Sequence, residues 1–222
     1  GYFQARTNTY APVNILKEKY ETILNQDNVV GLAIATRPDA ISDECLDYLE
    51  ELNKKTFLTV ELGLQTIHEK TSKIINRCHD LKCFEETLKK LKSRNIFTVV
   101  HIINGLPGET KDMMIETVKY LNKLQIDGIK IHMLSVLKDT PLEKYYKLKP
   151  FHILTKDEYI DIVIKQLEYL NPKIVIQRLT GDPMKEQLIT PLWTTKKIDV
   201  LNGIDKEMVK RNTYQGSKCG IV

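Results

Sequence analysis

The sequence predicts an α/β fold in which parallel strands form a barrel-like arc. Six short apolar runs rich in β-branched and aromatic residues alternate with segments of helical periodicity. Such regular alternation is typical of right-handed βαβ units. Polar residues stand at the carboxyl ends of several successive runs, which favours a barrel rim over an open doubly wound sheet. In either architecture a ligand would bind at that same edge of the strands.

The six predicted strands cover residues 2–6, 29–35, 57–64, 96–103, 128–136 and 173–179. The fourth is apolar almost throughout, because valines and isoleucines flank a single histidine, His101. Strands with that composition are usually parallel and covered on both faces. We therefore interpret His101, and His132 one strand later, as histidines of the core.

The segments between these runs carry apolar residues spaced as on one face of a helix. Pro12 stands at a first helical turn, and Ser42 has the position of an N-cap ahead of Asp43 and Glu44. The apolar stripes are Leu16, Tyr20 and Ile23; Leu46 and Leu49; Leu81, Phe84, Leu88 and Leu91; Met114, Val118 and Leu121; and Tyr159, Val163, Leu167 and Leu170. These stripes predict the protein core rather than a site.

These patterns divide the chain into a predicted barrel domain and a C-terminal extension. Residues 1–179 are predicted to form the barrel domain, and residues 180–222 a C-terminal extension packed on it. Helical and strand periodicity fade at the boundary, where Gly181 and Pro183 mark a turn. A final helix is expected over residues 199–211, and the tail over residues 214–222 is expected to be loosely held.

Composition places the chain among ordinary folded proteins. Of its 222 residues, 42% are hydrophobic and 28% are charged, which suits one large α/β domain and excludes a disordered chain. No apolar run approaches the ~20 residues that cross a bilayer. No signal peptide is visible, so we expect no membrane partner and a cytoplasmic location. The net charge of +4 permits a nucleic-acid partner without requiring one.

Four cysteines, Cys45, Cys78, Cys83 and Cys219, match neither the paired C-x-x-C spacing of a zinc site nor a disulfide scaffold. Cys78 and Cys83 could approach each other near a helix start, but two reduced thiols are the simpler interpretation. The sequence therefore predicts no metal site built from these four residues.

The most informative stretch is Val60-Glu61-Leu62-Gly63-Leu64-Gln65-Thr66, in the third strand. Glu61, Gly63 and Gln65 fall on alternate residues, so they share one face of that strand. Arg77 follows within reach of the strand's end, and a Gly-Leu-Pro-Gly turn at residues 105–108 ends the next strand. A carboxylate or amide for hydroxyls, a guanidinium for a carboxylate and bare backbone for a flat ring suit a small zwitterionic nucleoside-like ligand.

These stretches resemble the radical S-adenosylmethionine (SAM) superfamily, and within it a bacterial group related to the elongator catalytic subunit. They lie at residues 2–12, 36–39, 60–66, 76–79 and 104–110. The resemblance implies a partial (βα)6 TIM-like barrel whose first strand is missing from this chain. It also implies SAM and a 4Fe-4S cluster as cofactors of the intact protein, with the three cysteine ligands upstream of Gly1. Because Gly1 opens directly into a predicted strand without an initiator methionine, we interpret the chain as a piece of a longer protein.

The resemblance also implies roles for individual residues. Thr7 and Asn8 match a segment that holds the SAM amino group, Gln65 a position that bonds ribose hydroxyls, and Arg77 an arginine that grips the SAM carboxylate. The turn at residues 105–108 would lie against adenine. The predicted cofactor-binding set is Thr7, Asn8, Glu61, Gln65, Arg77, Asn104, Gly105, Gly108 and Ser135.

Simpler interpretations stand beside these roles. Thr7 and Asn8 could form a plain turn, and Glu61 could belong to a buried ion pair. Arg77 could be a solvated charge at a helix end. Gln65 could bond loop backbone at the strand end.

The predicted function is that of a radical SAM iron–sulfur enzyme. The intact protein would take an electron from an external donor, cleave SAM to a 5′-deoxyadenosyl radical and act on a further substrate, for which tRNA is a candidate. Arg37 and Arg178 are predicted to meet an acidic substrate, or else to pair with Glu61 or Asp182. Without the cluster ligands, the chain alone is expected to be inactive.

Two other functions stay open at this point. A mildly basic α/β module could bind RNA or a partner without catalysis, and steep salt dependence of RNA binding would indicate it. An α/β-barrel enzyme acting on a phosphorylated metabolite would instead bind phosphate at the turn of residues 105–108.

Overall fold

The computed structural model describes residues 1–220 and alternates strands with helices from its first residues. The first half comprises β1 (Tyr2–Phe3), α1 (Val13–Leu24), β2 (Gly31–Thr36), α2 (Asp43–Asn53), β3 (Phe57–Gln65), α3 (Glu69–Ile74), α4 (Leu81–Ser93) and β4 (Phe97–Asn104). The second half comprises α5 (Lys111–Lys123), β5 (Gly128–Met133), β6 (Val136–Leu137), α6 (Pro141–Leu148), α7 (Lys156–Tyr169), β7 (Val175–Arg178), β8 (Leu188–Thr190) and α8 (Lys197–Lys210).

Six of the strands form one parallel sheet in the order β1-β2-β3-β4-β5-β7, and β6 and β8 form a separate antiparallel pair. In the parallel register of β2 and β3, Ala33 faces Thr59 and Ala35 faces Glu61. The predicted α/β class with parallel strands is therefore confirmed. Each of the six predicted strands is present, and the ends differ by a few residues.

The predicted strand over residues 128–136 is wrong at its carboxyl end. β5 stops at Met133, and Val136 belongs to β6, where it pairs with Thr190 of β8. Between them the Leu134 N–H donates to the Asn104 carbonyl over 2.9 Å. The chain thus leaves the parallel sheet three residues before the predicted run ends, because a distant segment, β8, pairs with β6.

The helices begin where capping residues satisfy their first free N–H groups. The Ser42 hydroxyl accepts a hydrogen bond from the Cys45 N–H over 3.2 Å, as the sequence predicts for an N-cap. Thr155 and Glu158 form a capping box at the start of α7. The predicted stripes are buried in the structure, among them Leu16, Leu49, Phe84, Val118 and Leu167. The short helices α3 and α6 are not predicted by the sequence.

The chain divides into two compact units. Unit 1 contains Gly1–Leu64, His79–His101 and Ile126–Gly128. Within it, Tyr20 stacks on Tyr48 with ring centroids 6.2 Å apart, and both rings are buried. Unit 2 contains Gln65–Cys78, Ile102–Gln125 and the chain from Ile129 onward. Its core includes the fully buried Tyr159, whose hydroxyl donates to the Leu179 carbonyl over 2.9 Å.

The C-terminal stretch after α8 is hydrogen-bonded to α7, in contrast to the loosely held tail that the sequence predicts. The Gly216 N–H donates to the Leu167 carbonyl over 2.9 Å, and the Lys218 N–H donates to the Glu168 carbonyl over 2.8 Å. The Thr213 hydroxyl bonds the Glu168 carboxylate over 2.9 Å. The last two residues of the predicted tail, 221 and 222, lie outside the described residues. Within residues 1–220, no helix combines the length and apolar character needed to cross a bilayer.

Candidate functional site

Arg77 ties the loop after β3 to α3 within unit 2. Its side chain is only 3% exposed. Nη1 donates to the Thr66 carbonyl over 2.5 Å, and Nη2 donates to Glu69 Oε1 over 3.0 Å. The alternative of a solvated charge at a helix end is therefore wrong. The guanidinium suits this position because its planar fork can bond a carbonyl and a carboxylate at once.

Thr66 also joins the end of β3 to the turn after β4. Its hydroxyl donates to Glu109 Oε1 over 2.5 Å. Because Thr66 follows Gln65 and Glu109 follows Gly108, this hydrogen bond places two predicted ligand-binding positions beside each other. Glu109 itself precedes the next helix, since α5 begins at Lys111 and Thr110 is its N-cap.

Burial raises the pKa of the Glu109 carboxyl above its ordinary value of 4.5, against the opposing effects of the Thr66 hydrogen bond and His68. A raised pKa in the folded state stabilises the protein at low pH, and this stabilisation is lost as pH rises through the folded-state pKa. We expect Glu109→Gln, which keeps the acceptor for Thr66, to gain stability relative to the native chain as pH rises from about 4 to about 7. Urea denaturation at both pH values measures the difference.

The matched control for this titration is Glu18→Gln, since Glu18 is exposed on α1 and forms no ion pair within residues 1–220. Because Glu18 is exposed, its replacement should change stability by less than about 0.5 kcal/mol at either pH. Equal pH profiles for Glu109→Gln and Glu18→Gln would contradict the assignment of a buried, proton-favouring carboxyl at Glu109.

The Gly105–Gly108 turn presents two different environments. Gly105 has φ +87°, and a Cβ atom there would lie 3.1 Å from Leu154 Cδ1. A cavity of about 10 Å³ beside Gly105, partly walled by Met133 and Trp193, holds no more than one water. Gly108 has φ +81°, and no atom lies within 4 Å of the position of its missing Cβ. The turn is therefore packed at Gly105 and open at Gly108, where a flat ring could approach bare backbone.

Gln65 ends β3 in a left-handed backbone conformation with φ +68°. A residue other than glycine in this region costs of order 1 kcal/mol, and such residues concentrate at ligand sites. The Gln65 side chain is half-buried and makes no hydrogen bond within the described part of the chain. Its amide therefore keeps a donor and an acceptor for a ligand, and the alternative of a bond to loop backbone does not hold.

Asn104, at the end of β4, forms a reciprocal amide pair with Gln166 of α7. Asn104 Nδ2 donates to Gln166 Oε1 over 2.8 Å, and Gln166 Nε2 donates to Asn104 Oδ1 over 2.9 Å. Gln166 Nε2 also bonds the Met114 carbonyl over 2.9 Å, and both amides are buried. Sequence reasoning missed Gln166, although it stands on the apolar face of α7 at helical spacing from Val163 and Tyr159.

In unit 1, Glu61 is 2% exposed, and its Oε2 atom has two polar partners. The Tyr2 hydroxyl donates to Glu61 Oε2 over 2.8 Å, and His101 Nε2 lies 2.7 Å from the same atom. His101 is therefore not simply packed in the core, because it shares a buried carboxylate with a tyrosine from the first strand. Local sequence patterns do not predict this partner for His101, since Glu61 stands 40 positions away in the chain.

Asn8 and Thr7 lie in the loop between β1 and α1, also in unit 1. Asn8 Nδ2 donates to the carbonyls of Phe3 over 2.9 Å and Ala35 over 2.8 Å. The Thr7 carbonyl accepts from the Tyr10 N–H over 3.4 Å, as in a turn. The Asn8 amide thus holds the loop to two strands, and its role toward SAM stays a prediction.

Arg37 and Arg178, the two predicted substrate-binding arginines, have different surroundings. Arg37 forms a bidentate pair with Asp39, with distances of 3.0 and 2.6 Å. Arg178 ends β7, is half-buried and pairs with no carboxylate within residues 1–220, so the alternative of a pair with Asp182 does not hold. Ser135 lies between β5 and β6 and is half-buried. Their roles toward a substrate or cofactor stay predictions.

The cysteines of the described chain do not fit an iron–sulfur cluster. No group of three or more His, Cys, Asp or Glu side chains within residues 1–220 is placed to hold a metal ion. Burial raises the pKa of the Cys45 thiol to about 11, and burial with nearby Asp39 raises the pKa of the Cys83 thiol. Cluster ligands are thiolates, so these two residues are set up as neutral thiols instead.

Comparison with known families defines the class of this protein. The family model of the radical SAM superfamily matches residues 1–121, and that of the Radical_SAM C-terminal domain matches residues 126–210. The chain belongs to the radical SAM superfamily, and it forms the core of an enzyme of that class.

Two curated proteins within this superfamily are similar to the chain. Over 216 residues the chain is 50% identical to Uncharacterized protein YtqA of Bacillus subtilis, covering 97% of this chain and 67% of YtqA. It is 26% identical to the tRNA uridine(34) acetyltransferase of Methanocaldococcus infernus, covering 60% of this chain and 25% of that protein.

Among solved structures, the Methanocaldococcus infernus Elp3 with an N-terminal deletion matches 84% of this chain and 43% of its own chain, with a TM-score of 0.73 and 22% identity. That likeness confirms the fold. The relationship to elongator proteins that the sequence indicates is confirmed by a curated relative, Elongator complex protein 3 of Schizosaccharomyces pombe, which is 27% identical over 71% of this chain and 29% of that protein.

Proposed function

We propose that this chain is the SAM-binding core of an enzyme that cleaves SAM and uses the resulting radical on a further substrate. Bound SAM would supply a 5′-deoxyadenosyl radical on reductive cleavage. The observation that carries the proposal is the hydrogen-bonded link from Arg77 through Thr66 to Glu109. This link holds the end of β3 against the turn after β4, the two places where the superfamily's ligand-binding motifs occur in this sequence.

The chain's own residues fit an adenosyl amino acid at these places. The Gln65 amide can donate to one ribose hydroxyl and accept from the other. Open backbone at Gly108 leaves room for an adenine ring. The planar fork of a guanidinium matches the two oxygens of a carboxylate, so Arg77 would bind the SAM carboxylate. Its burial would then strengthen the ion pair with the carboxylate.

The described cysteines do not form the ligand set of an iron–sulfur cluster. The residues of unit 2 instead would bind and orient SAM at the strand ends. Bound SAM would displace water from the half-buried Gln65 side chain. The hydrogen bonds between the Gln65 amide and the ligand would then be stronger than in water. Tests of SAM binding and of SAM cleavage therefore address different parts of the proposal.

The first test is calorimetric titration with SAM. We expect measurable binding by the native chain and about tenfold weaker binding by Gln65→Ala, which corresponds to one lost hydrogen bond of about 1.4 kcal/mol. The matched control is Gln26→Ala, an exposed glutamine just after α1 whose side chain bonds the Thr22 carbonyl. Equal affinities for native chain, Gln65→Ala and control would remove Gln65 from the site.

The second test follows the chemistry in the full-length protein. After anaerobic reconstitution with iron and sulfide, addition of SAM and a reductant should yield 5′-deoxyadenosine, detected by liquid chromatography. A protein with a spectroscopically verified cluster that releases none would overturn the proposed cleavage. It would leave a SAM-binding result untouched.

A further inference from the structure

The segment from Lys138 to His152 combines lysines with aromatic rings on an exposed helix. It reads Lys-Asp-Thr-Pro-Leu-Glu-Lys-Tyr-Tyr-Lys-Leu-Lys-Pro-Phe-His, and its central part is α6. No residue of α6 is buried. Leu148 is 87% exposed, a high value for a leucine. The helix therefore adds little to the core, and it is held by its Thr140 N-cap and by ring contacts with Phe151.

Three aromatic rings cluster on this segment. The Phe151 ring lies 5.1 Å from the Tyr146 ring in an edge-on arrangement and 6.2 Å from the Tyr145 ring. All three side chains are half-buried, so each keeps part of its surface open to solvent. Partly exposed aromatic rings held by their neighbours offer preformed faces on which a base can stack.

The charges of the segment are unevenly compensated. Glu143 is bonded to the Asp139 N–H over 2.7 Å and pairs with Lys147 over 2.7 Å. Lys144 and Lys149 are exposed, and neither pairs with a carboxylate within residues 1–220. Two cations next to the rings in the sequence thus have no carboxylate partner among the described residues, which suits a surface that binds a polyanion.

This segment leads directly to the turn that we assign to SAM. Leu154 follows it by two residues and packs on Gly105, with Leu154 Cδ1 3.1 Å from the position of a Cβ. Trp193 Nε1 donates to the Leu154 carbonyl over 2.9 Å and fixes that contact. A molecule bound on the segment would therefore lie at the same end of unit 2 as the proposed cofactor site.

We propose that Lys144, Tyr145, Tyr146, Lys149 and Phe151, together called the α6 surface, bind single-stranded RNA. Bases would stack on the tyrosine and phenylalanine rings, and the two lysines would contact phosphates. The binding itself does not depend on the proposed SAM chemistry. The claim that this RNA is the enzyme's substrate rests on the proposed function.

Single-stranded RNA fits better than the other polyanions. Duplex RNA hides its bases and would leave the aromatic rings without contacts. An anionic membrane is bound by helices with a broad apolar face and several basic residues, whereas α6 exposes one leucine at its end and spans only 8 residues. An acidic peptide would bind the lysines, but its carboxylates would gain little affinity from partly exposed aromatic rings.

The test is fluorescence anisotropy with a labelled single-stranded RNA of about 12 nucleotides, using the native chain, Lys144→Ala/Lys149→Ala and a charge-matched control. The control is Lys89→Ala/Lys206→Ala, two exposed lysines on α4 and α8 that form no ion pair within the described residues. We expect the α6 variant to bind about tenfold more weakly than the control variant. Its plot of log affinity against log salt should be shallower by about 1.4, for two lost phosphate contacts on a single strand.

The anisotropy measurements either support or contradict RNA binding by the α6 surface. A selective loss in the α6 variant, with weaker binding of the same RNA in duplex form, supports the proposal. Equal losses in both variants would show general charge attraction and overturn it. No binding by the native chain would overturn it too, as would tighter binding of polyglutamate or of vesicles rich in phosphatidylserine. Calorimetry should show that the Lys144→Ala/Lys149→Ala variant keeps the SAM affinity of the native chain, since neither lysine belongs to the proposed SAM site. A loss of RNA binding is thereby distinguished from damage to the SAM site.

Discussion

Replacing Gln166 by leucine is expected to lower the free energy of unfolding by about 3 kcal/mol. The substitution removes the partner of both Asn104 amide atoms and of the Met114 carbonyl. Because Asn104 is 1% exposed, water cannot easily replace the lost hydrogen bonds. Urea denaturation followed by circular dichroism measures the effect.

The pairing itself is tested by a double-mutant cycle. Asn104→Leu and Gln166→Leu each leave a buried amide without its partner, whereas the double variant leaves neither. We therefore expect the double variant to be less destabilised than the two single variants together, by about 2 kcal/mol. Gln26→Leu, at an exposed position, should change stability by less than about 0.5 kcal/mol. Additive effects in the cycle would show that the two amides do not act as a pair.

Replacing Glu61 by alanine is expected to cost about 2 to 3 kcal/mol of stability. Glu61 is 2% exposed, and its loss removes the acceptor for the Tyr2 hydroxyl and the partner of His101 Nε2. It also leaves a void in the sheet. Glu61→Gln keeps an oxygen acceptor at nearly the same volume, so its cost should be closer to about 1 kcal/mol.

The control for Glu61 is Glu50→Ala on α2. Glu50 forms surface ion pairs with Lys54 over 3.2 Å and Arg94 over 3.3 Å, and its side chain is 37% exposed. Pairs of that kind contribute less than about 1 kcal/mol. If Glu61→Ala unfolded at the same urea concentration as Glu50→Ala, the buried carboxylate would have no special role in the sheet.

The signals that predict a site at the strand ends are local in the sequence, and the site itself stays a prediction. Alternation placed Glu61 and Gln65 on one face of β3, and glycines marked the turn after β4. The positive φ of Gly105 and Gly108 follows from residue type, since glycine alone enters that region without cost. Gln65 is different, because nothing in an amide side chain predicts its φ of +68°.

The sequence motif does not predict the contacts of Arg77 in the folded chain. Motif position indicated a ligand-binding arginine, and the structure adds that its guanidinium is buried against Glu69 and the Thr66 carbonyl. A charge of this kind is held by whichever groups the folded chain brings near it. The same holds for the aromatic rings of the α6 surface, which the sequence left without a role because no strand or core stripe contains them.

By itself the sequence determined the α/β class, the order of strands and helices and the superfamily, because apolar spacing and short motifs are properties of contiguous residues. Only the tertiary structure decided the pairings of Asn104 with Gln166, of Glu61 with His101 and of Thr66 with Glu109. Those partners stand 62, 40 and 43 positions apart in the chain. A hydrogen bond forms only between groups that packing brings within about 3 Å, and the apolar pattern that drives packing does not specify which polar groups will meet.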